Sequence, residues 1–228
     1  MEIDVRERGA FGWALVNLGP GERFVSEAGA LFRISDNIDF DVTTRSRESG
    51  GLMSGLKRML SGESFFFSTY TCADDNGGEV GLAPKLQGEV KLIECDGKSR
   101  WLTTGGSYLG STEDLDIDTQ FQGIKGMLSG ESLSFLSIEG RGQLLVNAFG
   151  RITEIDVADS LTVDTGHVVA FEDALEYSVS KAGGSWIQSF LTSEGLVLKF
   201  SGRGRVYVQS HNPTEFGKAL GPMLPPRN

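Results

Sequence analysis

Basic residues are scarce in this chain: 21 lysines and arginines stand against 31 aspartates and glutamates, a formal charge of −10 over 228 residues. An acidic surface repels phosphate backbones, which disfavours general nucleic-acid binding unless a basic patch is locally segregated. Cysteine is nearly absent. Cys72 and Cys95 could form one disulfide by count alone, but two reduced thiols in a reducing compartment is the expected state. Residues Met1 to Gly12 include Glu2, Asp4 and Glu7 and no apolar stretch of signal-peptide length. No apolar run approaches the roughly 20 residues that a membrane-spanning helix needs. A cytoplasmic protein without a membrane span is therefore expected.

Glycine, by contrast, is abundant, with 31 residues that fall mostly between short apolar runs, as an all-β chain rich in turns requires. The chain also repeats itself. Gly55-Leu56-Lys57-Arg58-Met59-Leu60-Ser61-Gly62-Glu63-Ser64 matches Gly123-Ile124-Lys125-Gly126-Met127-Leu128-Ser129-Gly130-Glu131-Ser132, and Ile187-Gln188-Ser189-Phe190-Leu191-Thr192-Ser193-Glu194 is a weaker third copy. Downstream, Gly140-Arg141-Gly142-Gln143-Leu144-Leu145-Val146 matches Gly202-Arg203-Gly204-Arg205-Val206-Tyr207-Val208. Upstream, Phe24–Glu27, Trp101–Thr104 and Leu161–Asp164 each precede a glycine and then an alternating segment: Ile38–Val42, Leu115–Asp118 and Leu175–Ser178. These blocks divide the chain into β-units at residues 1–84, 85–149 and 150–211, followed by a tail at 212–228, together one compact domain.

Period-two alternation places the apolar side chains of Ile38–Val42 and its counterparts on one face and the polar ones on the other, which predicts half-buried strands. Phe65–Phe67, Leu133–Ile138 and Leu196–Phe200 are strong strand formers. The Gly-Arg-Gly segments and Asp74-Asp75-Asn76-Gly77-Gly78 lie where hairpins need residues tolerant of positive φ. Leu56, Met59 and Leu60, Ile124, Met127 and Leu128, and Ile187, Phe190 and Leu191 keep helical spacing, predicting one short helix per unit. Asn212-Pro213-Thr214-Glu215-Phe216 opens a further short helix in the tail, ended by Pro222, Pro225 and Pro226, and is read as a surface clasp or subunit contact.

Each candidate for chemistry has a structural reading that outweighs it. The pairs Asp39 and Asp41, and Asp116 and Asp118, offer oxygen ligands to a hard cation but read as a solvated strand face, and the third copy, Glu176 and Ser178, keeps only half the pair. Asp74-x-Asn76-x-Gly78 resembles the start of a calcium loop, yet Pro84 sits near the place of the closing glutamate, so it reads as a turn. His167 and His211 lie on strands or strand ends outside any catalytic motif, and a meeting with Cys72 or Cys95 is the only nucleophile–base pair that can be drawn. Ser61–Ser64 and Ser129–Ser132 follow helix C-termini, whose partial negative charge is wrong for phosphate. Leu52, Met53, Leu56, Met59 and Leu60 with Lys57 and Arg58 could rest on a membrane surface, which allows peripheral contact; packing on the sheet is the expected use. No catalytic residue, metal ligand or cofactor is assigned.

The repeated Gly-Leu-Lys-Arg-Met-Leu-Ser-Gly-Glu-Ser block, with Gly78-Glu79-Val80-Gly81-Leu82-Ala83-Pro84 and Leu145-Val146-Asn147-Ala148-Phe149-Gly150, resembles the bacterial and archaeal branch of the altered-inheritance-of-mitochondria (number twenty-four) family over essentially the whole chain. The resemblance implies a mainly β fold of triplicated β-sandwich units, like the tryptophan RNA-binding attenuator protein, in a pseudo-three-fold arrangement. It also implies a link to mitochondrial inner-membrane organisation, with no catalytic residues to carry over. The resulting expectation is a non-enzymatic scaffold or binding protein that forms a homo-oligomer or takes a protein partner. The alternative is a small-molecule or metal-binding protein with a pocket between β-units.

Overall fold

Nineteen strands and one α-helix form the computed structural model among its described residues, which are 1–7, 9–43, 66–120, 135–181 and 196–225. In chain order the first strands are β1 (Glu2–Arg6), β2 (Trp13–Leu18), β3 (Arg23–Glu27), β4 (Leu31–Ile34), β5 (Ile38–Thr43), β6 (Phe67–Cys72) and β7 (Gly78–Leu82). The next six are β8 (Val90–Asp96), β9 (Trp101–Thr104), β10 (Tyr108–Thr112), β11 (Asp116–Gln120), β12 (Phe135–Glu139) and β13 (Arg141–Asn147). The last six are β14 (Ile152–Val157), β15 (Ser160–Asp164), β16 (Val168–Glu172), β17 (Glu176–Lys181), β18 (Leu196–Ser201) and β19 (Gly204–Gln209). The mainly β expectation holds. The predicted short helices, the Ser61–Ser64 and Ser129–Ser132 segments and the Leu52–Leu60 face lie outside the described residues.

The strands pair antiparallel in four sheets, ordered β1-β2-β7-β4, β5-β6-β3-β10-β13-β8, β11-β12-β9-β16-β19-β14 and β15-β18-β17. The two six-stranded sheets correspond strand for strand, each label rising by six from one to the other. Register irregularities fall at Leu31/Arg33 in β4, Tyr108/Gly110 in β10 and Val168/Ala170 in β16, where one extra residue bulges out of the ladder. Just past each bulge a side chain receives a backbone N–H from the neighbouring strand. Ser35 Oγ accepts from Glu79 at 2.9 Å, Thr112 Oγ1 from Gln143 at 3.1 Å and Glu172 Oε2 from Arg205 at 2.9 Å.

Three apolar clusters separate the sheets. Val16, Phe24, Tyr70, Val80 and Leu82 fill the first, Trp101, Tyr108, Ile117, Ile138 and Val146 the second, and Phe135, Phe171, Leu198, Phe200 and Val206 the third. Neighbouring residues of one strand feed different clusters: Phe24 enters the first and Val25 the second, Trp101 the second and Leu102 the third. Both faces of these central strands are thus covered, and Phe24, Val25, Ser26, Trp101, Leu102 and Thr103 are all buried. Simple alternation does survive in β11, where Ile117 is buried and Asp116 exposed. In β5 Ile38 is buried, while Phe40 and Val42 are 57% and 51% exposed.

The turns follow the expected chemistry. Gly140 (φ 124°) and Gly202 (φ 103°) occupy the left-handed region between β12 and β13 and between β18 and β19. Asp74 builds the β6–β7 turn, with Oδ1 accepting from Asn76 N at 2.9 Å and from Asn37 Nδ2 at 2.8 Å. Those bonds, that from Asn37 foremost, hold its carboxyl below the usual range. The tail forms α1 (Pro213–Leu220), capped by Asn212, whose Oδ1 accepts from Thr214 N at 2.9 Å, with proline in the first turn.

Candidate functional site

One linked group of charged and aromatic side chains joins the second and third sheets. Glu172 on β16 receives Arg205 of β19 through Nε at 3.0 Å and Nη2 at 2.6 Å on Oε1. The same guanidinium lies 4.9 Å over the Trp101 ring, and Trp101 packs 5.4 Å from Tyr207. Lys91 of β8 stands 4.7 Å over the Tyr207 ring and donates to Glu154 of β14 at 2.7 Å. The result is a ladder in which two ion pairs flank a pair of rings, Glu172–Arg205–Trp101–Tyr207–Lys91–Glu154, built from five strands of two sheets. Burial, then the charge of Glu154, pushes the Tyr207 phenol up to about 12. A phenol that stays protonated is no base at neutral pH, and a carboxylate engaged by a guanidinium is no free nucleophile. What the ladder does is bolt two sheets together.

The ladder makes one term of stability depend on pH. The Lys91 hydrogen bond holds the Glu154 carboxyl below its ordinary 4.5. A carboxyl depressed in the folded state adds stability above the unfolded value and loses it as pH falls through the folded one. Glu154→Gln should therefore lower the urea midpoint at neutral pH, and the gap from the parent should close in acid, below 4.5. An equal gap at both pH values would refute this assignment.

The residues singled out from sequence do not converge. His167 Nδ1 donates to the Gln209 carbonyl at 2.8 Å, and the Gln209 side chain continues the network to Gly166 O and Phe149 N, each at 2.8 Å. His211 packs 5.2 Å from Phe149, which lies 5.1 Å from Phe216 of α1, so this histidine helps seat the tail helix. The acidic pairs Asp39 with Asp41 and Asp116 with Asp118 sit on different sheets. Cys72 and Cys95 are free and buried. They share a sheet, but β3, β10 and β13 stand between their strands, which at ~4.8 Å per strand puts them about 19 Å apart. Burial, followed by Glu94 and Asp96, pushes the Cys95 thiol up to about 11. Both thiols should resist iodoacetamide in the native protein at pH 8 and react fully once unfolded; rapid native labelling of Cys95 would contradict this burial.

Sequence reasoning passed over the ladder. Within the matched blocks Arg205 stands where Gln143 does, two residues after an arginine that both blocks share, so nothing in the chain marked it out. Two further features concern surface. A depression of about 580 Å³ is lined by Met1, Asn17, Ser35, Gly77 and Glu79 among others, beside the β1–β2–β7 sheet. The strands β4 and β15 each end a sheet, and their outer edges have no strand partner among the described residues. Phe32 on β4 is 53% exposed.

The chain matches the family described as "Mitochondrial biogenesis AIM24" over residues 3–211. It is 30% identical over 216 residues to an uncharacterized protein of Streptococcus pyogenes serotype M6, covering 92% of this chain and 86% of that one. A crystal structure of a Streptococcus pyogenes protein superposes with a TM-score of 0.80 at 28% identity, covering 98% of this chain and 99% of that one. No helix among the described residues is long and apolar enough to cross a membrane.

Proposed function

The chain belongs to the mitochondrial biogenesis AIM24 family, and from that premise we propose that it is a non-enzymatic scaffold made of three copies of one β-sandwich unit, residues 1–84, 85–149 and 150–211. The observation that supports this is the recurring pairing. Each unit pairs its first, last and third strands in one layer (β2-β7-β4, β8-β13-β10, β14-β19-β16) and its fourth, fifth and second in the other (β5-β6-β3, β11-β12-β9, β17-β18-β15). In each unit the bulge and the side-chain bond beside it fall at matching places, and an apolar cluster lies between the two layers. Such a pairing supports the attenuator-like sandwich that the resemblance implies, extended in the first unit by β1.

The units join edge to edge. The second strand of one unit pairs with the third strand of the next: β3 with β10, through Val25 opposite Ser111, and β9 with β16, through Leu102 opposite Phe171. An ion pair flanks each junction, the exposed Arg23 with Glu113 and the half-buried Arg100 with Asp173, the latter at 2.9 Å. A repeated frame with broad outer surfaces suits the holding of partners better than the turnover of substrate. The family's link to mitochondrial biogenesis is carried over only as an assembly role, and a cytoplasmic location agrees with the two free thiols. The alternative of a pocket between units draws no support from the depression, whose lining lies within the first unit.

Native mass spectrometry with elemental analysis, after gentle purification, tests this reading. The polypeptide mass without a stoichiometric ion or small molecule is expected. A ligand retained at one per chain would overturn it in favour of the small-molecule or metal-binding alternative.

A further inference from the structure

Three units joined by one kind of junction leave two halves unused, the third strand of the first unit and the second strand of the last. Resting on the three-unit reading, we propose that β15 of one copy pairs antiparallel with β4 of another, so that the protein assembles head to tail through the junction that already joins its own units.

The internal junctions supply the register. Ser111 and Phe171, each one residue past the position after the bulge gap, lie opposite Val25 and Leu102. The matching residues at the free edges are Ile34 on β4 and Thr162 on β15. Exposure singles out β4 among the three bulged strands. Leu109 and Val169, the bulged residues of β10 and β16, are fully buried, whereas Phe32 in the same place on β4 is 53% exposed. An exposed aromatic beside an unpaired ladder is a template for another strand. Arg33, the charged residue on this edge, is turned to Glu79 on neighbouring β7 at 2.9 Å.

A second set of contacts repeats the pattern. Gly12 N donates to Gly88 O at 2.8 Å between the first and second units, and Glu89 N donates to Gly150 O at 2.7 Å between the second and third. The third member, Arg151 N, donates instead to Ser210 Oγ at 2.9 Å. Among the described residues two junctions are made, and the third that a closed pseudo-three-fold ring needs is missing at both levels. A second copy of the chain offers the complementary edge. The contact is heterologous, so it generates a ring of several chains or a filament. At the new junction Ser160 and Asp36 occupy the places of Arg23 and Glu113. The missing ion pair costs little, since exposed pairs are worth about 0–1 kcal/mol, and it makes the assembly weaker and reversible.

Cysteine trapping tests the proposal, because Asp36 and Ser160 are both exposed. Under mild oxidation, Asp36→Cys/Ser160→Cys should give disulfide-linked dimers and larger species that collapse on reduction. The parent, with its two buried thiols, should not. Unmodified protein should show a light-scattering mass that rises with concentration to at least twice the 24.6 kDa chain. A 36–160 bond formed within one chain would mean a closed ring and overturn the proposal, as would no bond at all together with a concentration-independent monomer. Arg23→Cys/Glu113→Cys should cross-link within one chain. If it fails, the three-unit reading itself falls; if it closes while the edge pair stays open, only the head-to-tail assembly falls.

Discussion

A Gly88→Ala protein is expected to lose about 4 kcal/mol of stability, at the exceptional end of single-substitution effects, and to be recovered largely unfolded. The added Cβ would lie 1.7 Å from the Ala148 carbonyl oxygen, 2.7 Å from its carbon and 2.8 Å from Gly150 N. All three are backbone atoms, so no rotamer change relieves the overlap. The segment cannot retreat cheaply either. Gly88 bridges Gly150, and around it run bonds from Gly12 N to Gly88 O, Ala148 N to Glu89 O at 3.1 Å and Gly150 N to Gln87 O at 3.0 Å. Moving Gly88 away from Ala148 breaks buried backbone pairs across the seam where the first, second and third parts of the chain meet. Gly106→Ala is the control. Nothing lies within 4 Å of its added Cβ, and the change should stay within about 0.5 kcal/mol of the parent. Urea midpoints for the two variants decide the matter; equal midpoints would sink the prediction.

The second large effect belongs to Trp101→Ala, expected to cost about 4 kcal/mol, in the range for removing a buried large aromatic. Trp101 is 1% exposed, in the central apolar cluster. Its loss removes the ring between Arg205 and Tyr207, so the cavity and the broken cation–π contact act together. Glu172 keeps its guanidinium partner and should not become an unpaired buried charge. Trp101→Phe retains a ring and should recover more than half of the loss. Far-UV circular dichroism against urea measures both variants without relying on the deleted fluorophore. Should Trp101→Phe prove as damaging as Trp101→Ala, the ring stack would not be the source of the effect.

Local chemistry was legible where it is decided by neighbours in the chain. Asp74 builds its turn with Asn76, Asn212 caps the tail helix that begins at Pro213, and glycine stands at the left-handed positions 140 and 202. These outcomes depend on a few bonds within three or four residues. The alternating Leu115–Asp118 segment likewise announced a buried and an exposed face. The candidates for chemistry were less legible because their roles depend on distant partners. The Glu172–Arg205 pair spans 33 residues, and no local pattern distinguishes that arginine from one on a solvated hairpin. Phe40 and Val42 share the alternation of their counterparts yet remain exposed, because period two states which residues share a face and not whether another layer covers it.

Composition and pattern by themselves determined that this chain folds as β-structure with glycine turns, that it carries a formal charge of −10, and that its matched blocks recur in a constant order. Those properties follow from hydropathy, charge and backbone propensity, which act locally or as sums over the chain. Only the tertiary structure decided which strands meet across long separations. It put β3 beside β10 and β9 beside β16, buried both faces of those central strands, and kept Cys72 and Cys95 apart. It also left β4 and β15 at the ends of their sheets, without an outer strand partner among the described residues. The physical reason is that a backbone edge offers the same donors and acceptors whatever its sequence; which edges find each other, and which are left for another molecule, depends on where the packed layers place them.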